Sequence, residues 1–153
     1  VPIPDLIPIM HEPDYHTGQI GRYADGQFFA CVTAAFPEGL QVGDDWPEHK
    51  RWYAVLHRFD RDGHHQGSEV WYAGTTAQGE QDVIDRADRV LTGWLSELPQ
   101  PTLGDIAVRL FSVEVDGIVF GLVDESDDEY GEHVELYPNQ LGFYPPWDGE
   151  YDT

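Results

Sequence analysis

Across residues 111–122 apolar and polar side chains alternate about an Asp-Gly pair, and the alternation predicts a β-hairpin. A two-residue turn at Asp116-Gly117 sets Val115 against Ile118, Val113 against Phe120 and Phe111 against Leu122. These six side chains are apolar and share one face, because side chains along a strand point to alternate sides. The other face pairs Glu114 with Val119 and Ser112 with Gly121, and Arg109 is expected opposite Asp124. A slip of one residue would turn the apolar set outward, so the pattern sets the register.

Two more Asp-Gly pairs, Asp25-Gly26 and Asp62-Gly63, lie between β-forming runs. Asp-Gly suits a two-residue type I′ turn, whose central residues both need positive φ. The first hairpin is expected to join 19–23 to the apolar run 27–36. The second spans 51–75, with 69–73 as its return strand. Within it Trp52, Tyr53, Ala54, Val55 and Leu56 are apolar on both faces, the pattern of a central strand.

The period changes over residues 81–98. Val83, Ile84, Ala87, Val90, Leu91, Trp94, Leu95 and Leu98 recur at helical spacing and form one stripe. Asp82 with Arg86, and Asp85 with Arg89, are favourable i,i+4 pairs, and Pro99 and Pro101 end the helix. Residues 124–129 read as a solvated acidic loop and 133–137 as a short strand. The expected fold is α+β: a mostly antiparallel sheet of about six or seven strands built from three hairpins, with the helix packed on one face between hairpins two and three. Residues 1–153 read as a single domain, in which 1–16 form an extended or loop arm and 138–153 an aromatic, proline-rich C-terminal arm.

Composition supports a folded chain. Apolar residues make up 41% and aromatics 13%, enough for a core and against disorder. The one cysteine, Cys31, excludes a disulfide framework within the chain, and a cytoplasmic location is the expectation. No apolar run approaches the ~18 residues that span a membrane. The apolar N-terminal stretch is broken by Pro2, Pro4 and Pro8 and has no basic segment, so it does not read as a signal peptide.

Charge changes the picture most. Eight basic residues against 29 acidic ones give −21. Such a field repels nucleic acid and anionic membranes and attracts basic proteins. It is also uneven. After Arg109 there is no Lys or Arg, while twelve acidic side chains follow, which places −12 of the −21 in less than a third of the chain. Carboxylates are costly to bury, so these lie on the surface. The sequence therefore points to a non-enzymatic binding protein that docks a basic partner, such as a nuclease or toxin, in the manner of an immunity or inhibitor protein or a nucleic-acid mimic. Asp124, Glu125, Asp127, Asp128, Glu129 and Glu132 are the expected partner-binding residues.

A second reading is a small enzyme or ligand-binding domain, with an aromatic pocket between sheet and helix around His57, lined by Tyr53, Tyr72 and Trp147. His57 is a candidate general base there. A third reading is metal binding through His11, His16 or His64. The segment His11-Glu12-Pro13-Asp14-Tyr15-His16 lacks the four-residue His spacing of a zincin helix. The segment 60–65 lacks the closing Glu of a calcium loop and reads as a hairpin tip. Cys31 sits in an apolar run, the setting of a core residue rather than a reactive thiolate. No nucleophile elbow or phosphate-binding loop is present, so no catalytic residue, metal or cofactor is assigned.

Overall fold

The computed structural model describes residues 2–37 and 39–153. The chain is α+β, with eleven strands in three antiparallel sheets and one long helix. In chain order the strands are β1 (Ile7–Ile9), β2 (Gln19–Tyr23), β3 (Gly26–Ala35), β4 (Arg51–Phe59), β5 (His65–Thr75), β6 (Thr102–Leu103), β7 (Ile106–Val108), β8 (Phe111–Val115), β9 (Ile118–Asp124), β10 (Val134–Tyr137) and β11 (Leu141–Phe143). A single helical turn, α1 (Trp46–His49), precedes β4, and α2 (Glu80–Ser96) follows β5. The strands exceed the expected number because β1, β6, β7 and β11 are only two or three residues long, too short to show a period.

Strand alternation sets the layers. On β4, Tyr53, Val55, His57 and Phe59 point to one side, and Trp52, Ala54 and Leu56 to the other. The second side meets α2, whose Val83, Ala87 and Leu91 close over Phe28, Ala30, Ala54, Leu56 and Ala73. The first side meets Ile118, Phe120 and Leu122 of β9, with Val134, Leu136, Leu141 and Phe143 from β10 and β11. The order is therefore helix, five-stranded sheet (β5-β4-β3-β2-β6), four-stranded sheet (β11-β10-β9-β8). Each large side chain fully buried in these layers contributes roughly 1.5–3 kcal/mol.

The third hairpin has the predicted register, from Val115 against Ile118 to Phe111 against Leu122. Its turn is of the expected kind, with φ of 56° at Asp116 and 76° at Gly117. The other two turns differ. In the first, Tyr23 already pairs with Gly26, so Ala24 and Asp25 are the central residues and Gly26 opens β3. Glycine is needed there for space, since a Cβ would collide with the Phe59 carbonyl oxygen. In the second, Asp60 N–H donates to His64 O (2.9 Å), Gly63 N–H donates to Asp60 O (3.1 Å), and only Gly63 has positive φ, at 84°. That is a three-residue loop closed by a left-handed glycine. The Asp60 carboxylate holds it by accepting from the N–H groups of Asp62 and His64, each at 2.9 Å.

Arg109 does not face Asp124. The chain leaves the sheet before Phe111, and Asp124 instead pairs with Val134. Arg109 turns to the second hairpin, donating from Nε to Asp62 O (3.0 Å) and from its N–H to Gly63 O (2.9 Å). The helix pairs are corrected as well. Among the described residues neither Asp82–Arg86 nor Asp85–Arg89 closes as an ion pair, and Asp85 accepts from Gln81 (2.9 Å).

The buried side chain of Gln27 joins the β1–β7 ribbon to the main sheet. Its Nε2 donates to Ala107 O (2.9 Å) and its Oε1 accepts from Ala107 N–H (2.8 Å), so it pairs with β7 as a peptide unit would. Residues 1–16 contain β1, which pairs with β7, and residues 138–153 contain β11, which pairs with β10.

The two turns respond differently to substitution. Gly117→Ala should cost about 1 kcal/mol, the penalty of a left-handed alanine in open space. Gly26→Ala should cost more than about 3 kcal/mol because it forces β3 and β4 apart. Urea melts of the two variants check this, and equal midpoints would contradict the close approach at Gly26.

Candidate docking site

The segment linking β9 to β10 is an ordered hairpin tip. Glu125 N–H donates to His133 O (2.8 Å), and Asp127 and Gly131 exchange two backbone bonds at 3.1 and 2.9 Å. Asp124 Oδ1 accepts from Ser126 N–H (2.9 Å), and Asp127 Oδ1 accepts from Tyr130 N–H (2.6 Å). Ser126 Oγ donates to Glu132 Oε2 (3.3 Å) and accepts from His133 N–H (3.0 Å). The local bonds have an electrostatic consequence. Hydrogen bonds from Ser126 hold the Asp124 carboxyl below the usual carboxylate range.

Beside this tip lies an open groove of about 540 Å³, lined by Glu125, Asp127, Glu132, Glu135 and Asp152. Tyr130, Tyr144 and His133 complete its walls. Three parts of the chain build it. The tip supplies residues 125–133. Strand β10 supplies Glu135, which points outward because Val134 and Leu136 point into the core. The tail supplies Tyr144 and Asp152, the latter held by two backbone bonds to Gly142 of β11 at 2.8 and 3.0 Å. Acceptance from Tyr144 by Asp152 raises the Tyr144 pKa. At the other rim Tyr137 donates to Glu125 Oε1 (3.0 Å), and burial, then the neighbouring Glu135 and Glu125, push the Tyr137 pKa far up. The carboxylates thus meet hydroxyls that stay protonated.

Of the six expected partner-binding residues, Glu125, Asp127 and Glu132 line this groove. Asp124, Asp128 and Glu129 lie on the exposed tip outside it. Glu135, Asp152, Tyr130 and His133 are the members that the sequence reading did not single out. Alternation over 133–137 carried the signal for Glu135, whereas the return of the tail along β11 left none for Asp152.

The four candidate pocket residues do not converge. Tyr53 and His57 face the four-stranded sheet, on the side of β4 away from α2. Tyr53 is fully buried, donates to Asp116 Oδ2 (3.2 Å) and packs 5.6 Å from Tyr72, which is exposed and stands beside Arg51. His57 is 2% exposed and contacts Phe29, Phe59 and Phe111. Trp147 packs against the same core from the C-terminal arm, its indole N–H buried without a partner. Ser68 Oγ lies 2.6 Å from His57 Nδ1 and 2.7 Å from His65 Nε2. One hydroxyl proton serves one ring, so the other ring donates to Ser68. His57 is therefore a satisfied core residue with no face open to a substrate.

The remaining candidates each have local contacts. His11 Nε2 donates to Gly18 O (3.2 Å), and His16 packs on Tyr15, with ring centroids 4.4 Å apart. His64 Nδ1 lies 3.3 Å from Asp60 Oδ2 and, with Asp62, forms a group with metal-ligand spacing at the hairpin surface, while Asp60 Oδ1 holds the turn. Cys31 is buried beside Asn139, and burial pushes its thiol up to about 11 despite the Asn139 hydrogen bond. No helix among the described residues is long and apolar enough to cross a membrane. No family model, curated protein or solved structure matches the chain.

Two outcomes follow from the buried groups. Burial first, and His65 second, push the His57 pKa down from 6.5 to about 3. Over that window the unfolded chain takes up a proton that the folded chain refuses. Stability is thus full above about pH 6.5 and falls with pH below it, by up to about 1.4 kcal/mol per unit from this group. His57→Phe should flatten the profile between about pH 6.5 and 4 relative to the parent, and parallel profiles in urea melts would refute the assignment. Cys31 should be silent to a thiol reagent at pH 8 in the native protein and react on unfolding, and rapid native labelling would show the thiol to be accessible.

Proposed function

We propose that this chain is a non-enzymatic acidic protein that docks a basic protein partner, in the manner of an immunity or inhibitor protein, with the groove beside the 124–133 tip as its binding surface. The observation that carries the reading is the groove itself. Five carboxylates from three parts of the chain converge there, with tyrosines on its walls and no Lys or Arg in the last 44 positions after Arg109. Tyrosine faces and carboxylates together suit guanidinium and ammonium groups, which pair with the acids and stack on the rings. A pre-ordered tip lowers the cost of binding, because its side chains need less ordering on contact. The compartment that fits this reading is cytoplasmic, where a lone buried thiol persists.

The test must separate a site from bulk charge, since any chain of −21 attracts polycations. One variant neutralises Asp124, Glu125, Asp127, Asp128 and Glu129 to Asn or Gln. A control neutralises Glu80, Asp82, Asp85, Asp88 and Glu97 on and beside α2, an equal change of charge. Binding of a labelled arginine-rich peptide should weaken about ten-fold in the first variant and less than about two-fold in the control at 0.15 M salt, where fields fade over about 8 Å. Equal losses in the two would show that only net charge acts, and the reading would fail.

A further inference from the structure

The four-stranded sheet is covered on one face only. Ile118, Phe120 and Leu122 of β9 and Val134 and Leu136 of β10 point into the core. Alternation turns Val119 and Val123 of β9 and Tyr137 of β10 the other way, and among the described residues no helix lies over them. The outward face has charge at its margins. Glu114 pairs with Val119, Glu135 pairs with Val123, and Glu125 continues β9 beyond Val123.

A second groove, of about 680 Å³, runs along this face. Its walls are mainly apolar: Phe36 at the end of β3, then Ile118, Val119, Val123, Tyr137 and Pro138. Phe36 is 40% exposed, and Leu40, Val42 and, at the start of α1, Trp46 are exposed as well. Glu125 lines this groove and the acidic groove alike, and Tyr137, a wall of the apolar one, holds the Glu125 carboxylate through its hydroxyl. The two depressions therefore meet at one fixed negative charge.

We infer that the two grooves form one bipartite site, which takes a partner segment carrying aliphatic side chains next to arginine or lysine. The inference rests on the acidic-docking reading and adds the chemistry of the segment. Charge complementarity selects the occupant. Every ionisable side chain bordering the apolar groove on the four-stranded sheet is a carboxylate or a tyrosine, so a basic segment is drawn in and an acidic one repelled. A second copy of the chain would bring −21 against −21. The apolar floor adds affinity that salt does not screen, so the site discriminates among basic partners, which charge alone does poorly.

Three short peptides test this by fluorescence anisotropy. One is arginine-rich with Gly and Ser spacers, one has the same charge with two Ser replaced by Leu, and one keeps the Leu pair but is neutral. The basic–Leu peptide should bind about ten-fold tighter than the basic one, and the neutral peptide weaker than either. Val119→Thr with Val123→Thr should remove most of that ten-fold advantage and leave the basic peptide within about two-fold. Phe36→Ser, at an exposed position, provides the same readout if the double variant folds poorly. Equal affinity of the two basic peptides, with the response to tip neutralisation intact, sinks this inference and leaves the docking reading standing. Loss of the response to tip neutralisation sinks both. Reversible dimerisation abolished by Val123→Thr would assign the groove to a second copy and overturn the proposal.

Discussion

Strand β4 carries large apolar side chains on both faces, and this requires two covers. Helix α2 supplies one, with Val83, Ala87 and Leu91 over Ala54 and Leu56. The four-stranded sheet supplies the other, with Phe120 and Leu122 over Tyr53 and Val55. The two covers are unlike. A helix presents one apolar stripe and leaves its polar side to water. A sheet has a second flat face, and here that face is only partly polar: Val119, Val123 and Tyr137 interrupt its carboxylates. Covering the five-stranded sheet with a second sheet thus creates a surface that the fold itself does not use.

Polar groups inside these layers sort into the fold rather than the function. Gln27 replaces a peptide unit against β7, and Thr17 Oγ1 joins Met10 O at 2.7 Å, Glu12 N–H at 3.0 Å and Tyr151 at 3.1 Å. The His57–Ser68–His65 chain closes the sandwich beside Phe111. Each buried group has a partner, so each avoids the roughly 1–3 kcal/mol cost of an unmet donor or acceptor. Trp147 Nε1 is the exception among the described residues. The histidines that look most chemical in the sequence are thereby spent on packing.

What could be read in advance follows from the range of each signal. Alternation over 111–122 and the 3.6-residue stripe of α2 are local and strong, and both stand. The hairpin at Asp25-Gly26 is also local, but two demands fall on the same glycine. Turn chemistry asks for a left-handed residue, while the neighbouring Phe59 carbonyl asks for no side chain, and the second demand places Gly26 inside the strand. Arg109 was expected in a ladder with Asp124 and instead caps the second hairpin, a contact 47 positions away that no window reveals. Pairing of Asp152 with Gly142 spans only ten positions, but no alternation marks it. The charge asymmetry was legible as a count. Its convergence into a groove was not, because β10 and β11 fold the tail back along the tip.

The distribution of counter-charge bears on the docking reading. Among the described residues the ion pairs are Asp45–His49, Arg58–Glu69 and Asp60–His64. None involves a residue after Glu69, so among the described residues none of the twelve acids that follow Arg109 closes an ion pair. Two carboxylates held about 8 Å apart in water repel by about 0.5 kcal/mol before screening. Five line one open groove, where solvent and salt screen them. Water and salt carry much of this repulsion in the free protein. A bound guanidinium would relieve it further while displacing little ordered structure, since backbone bonds already fix the tip. On the docking reading, a basic occupant would meet carboxylates that the bonds of Ser126 and Asp127 already hold in place.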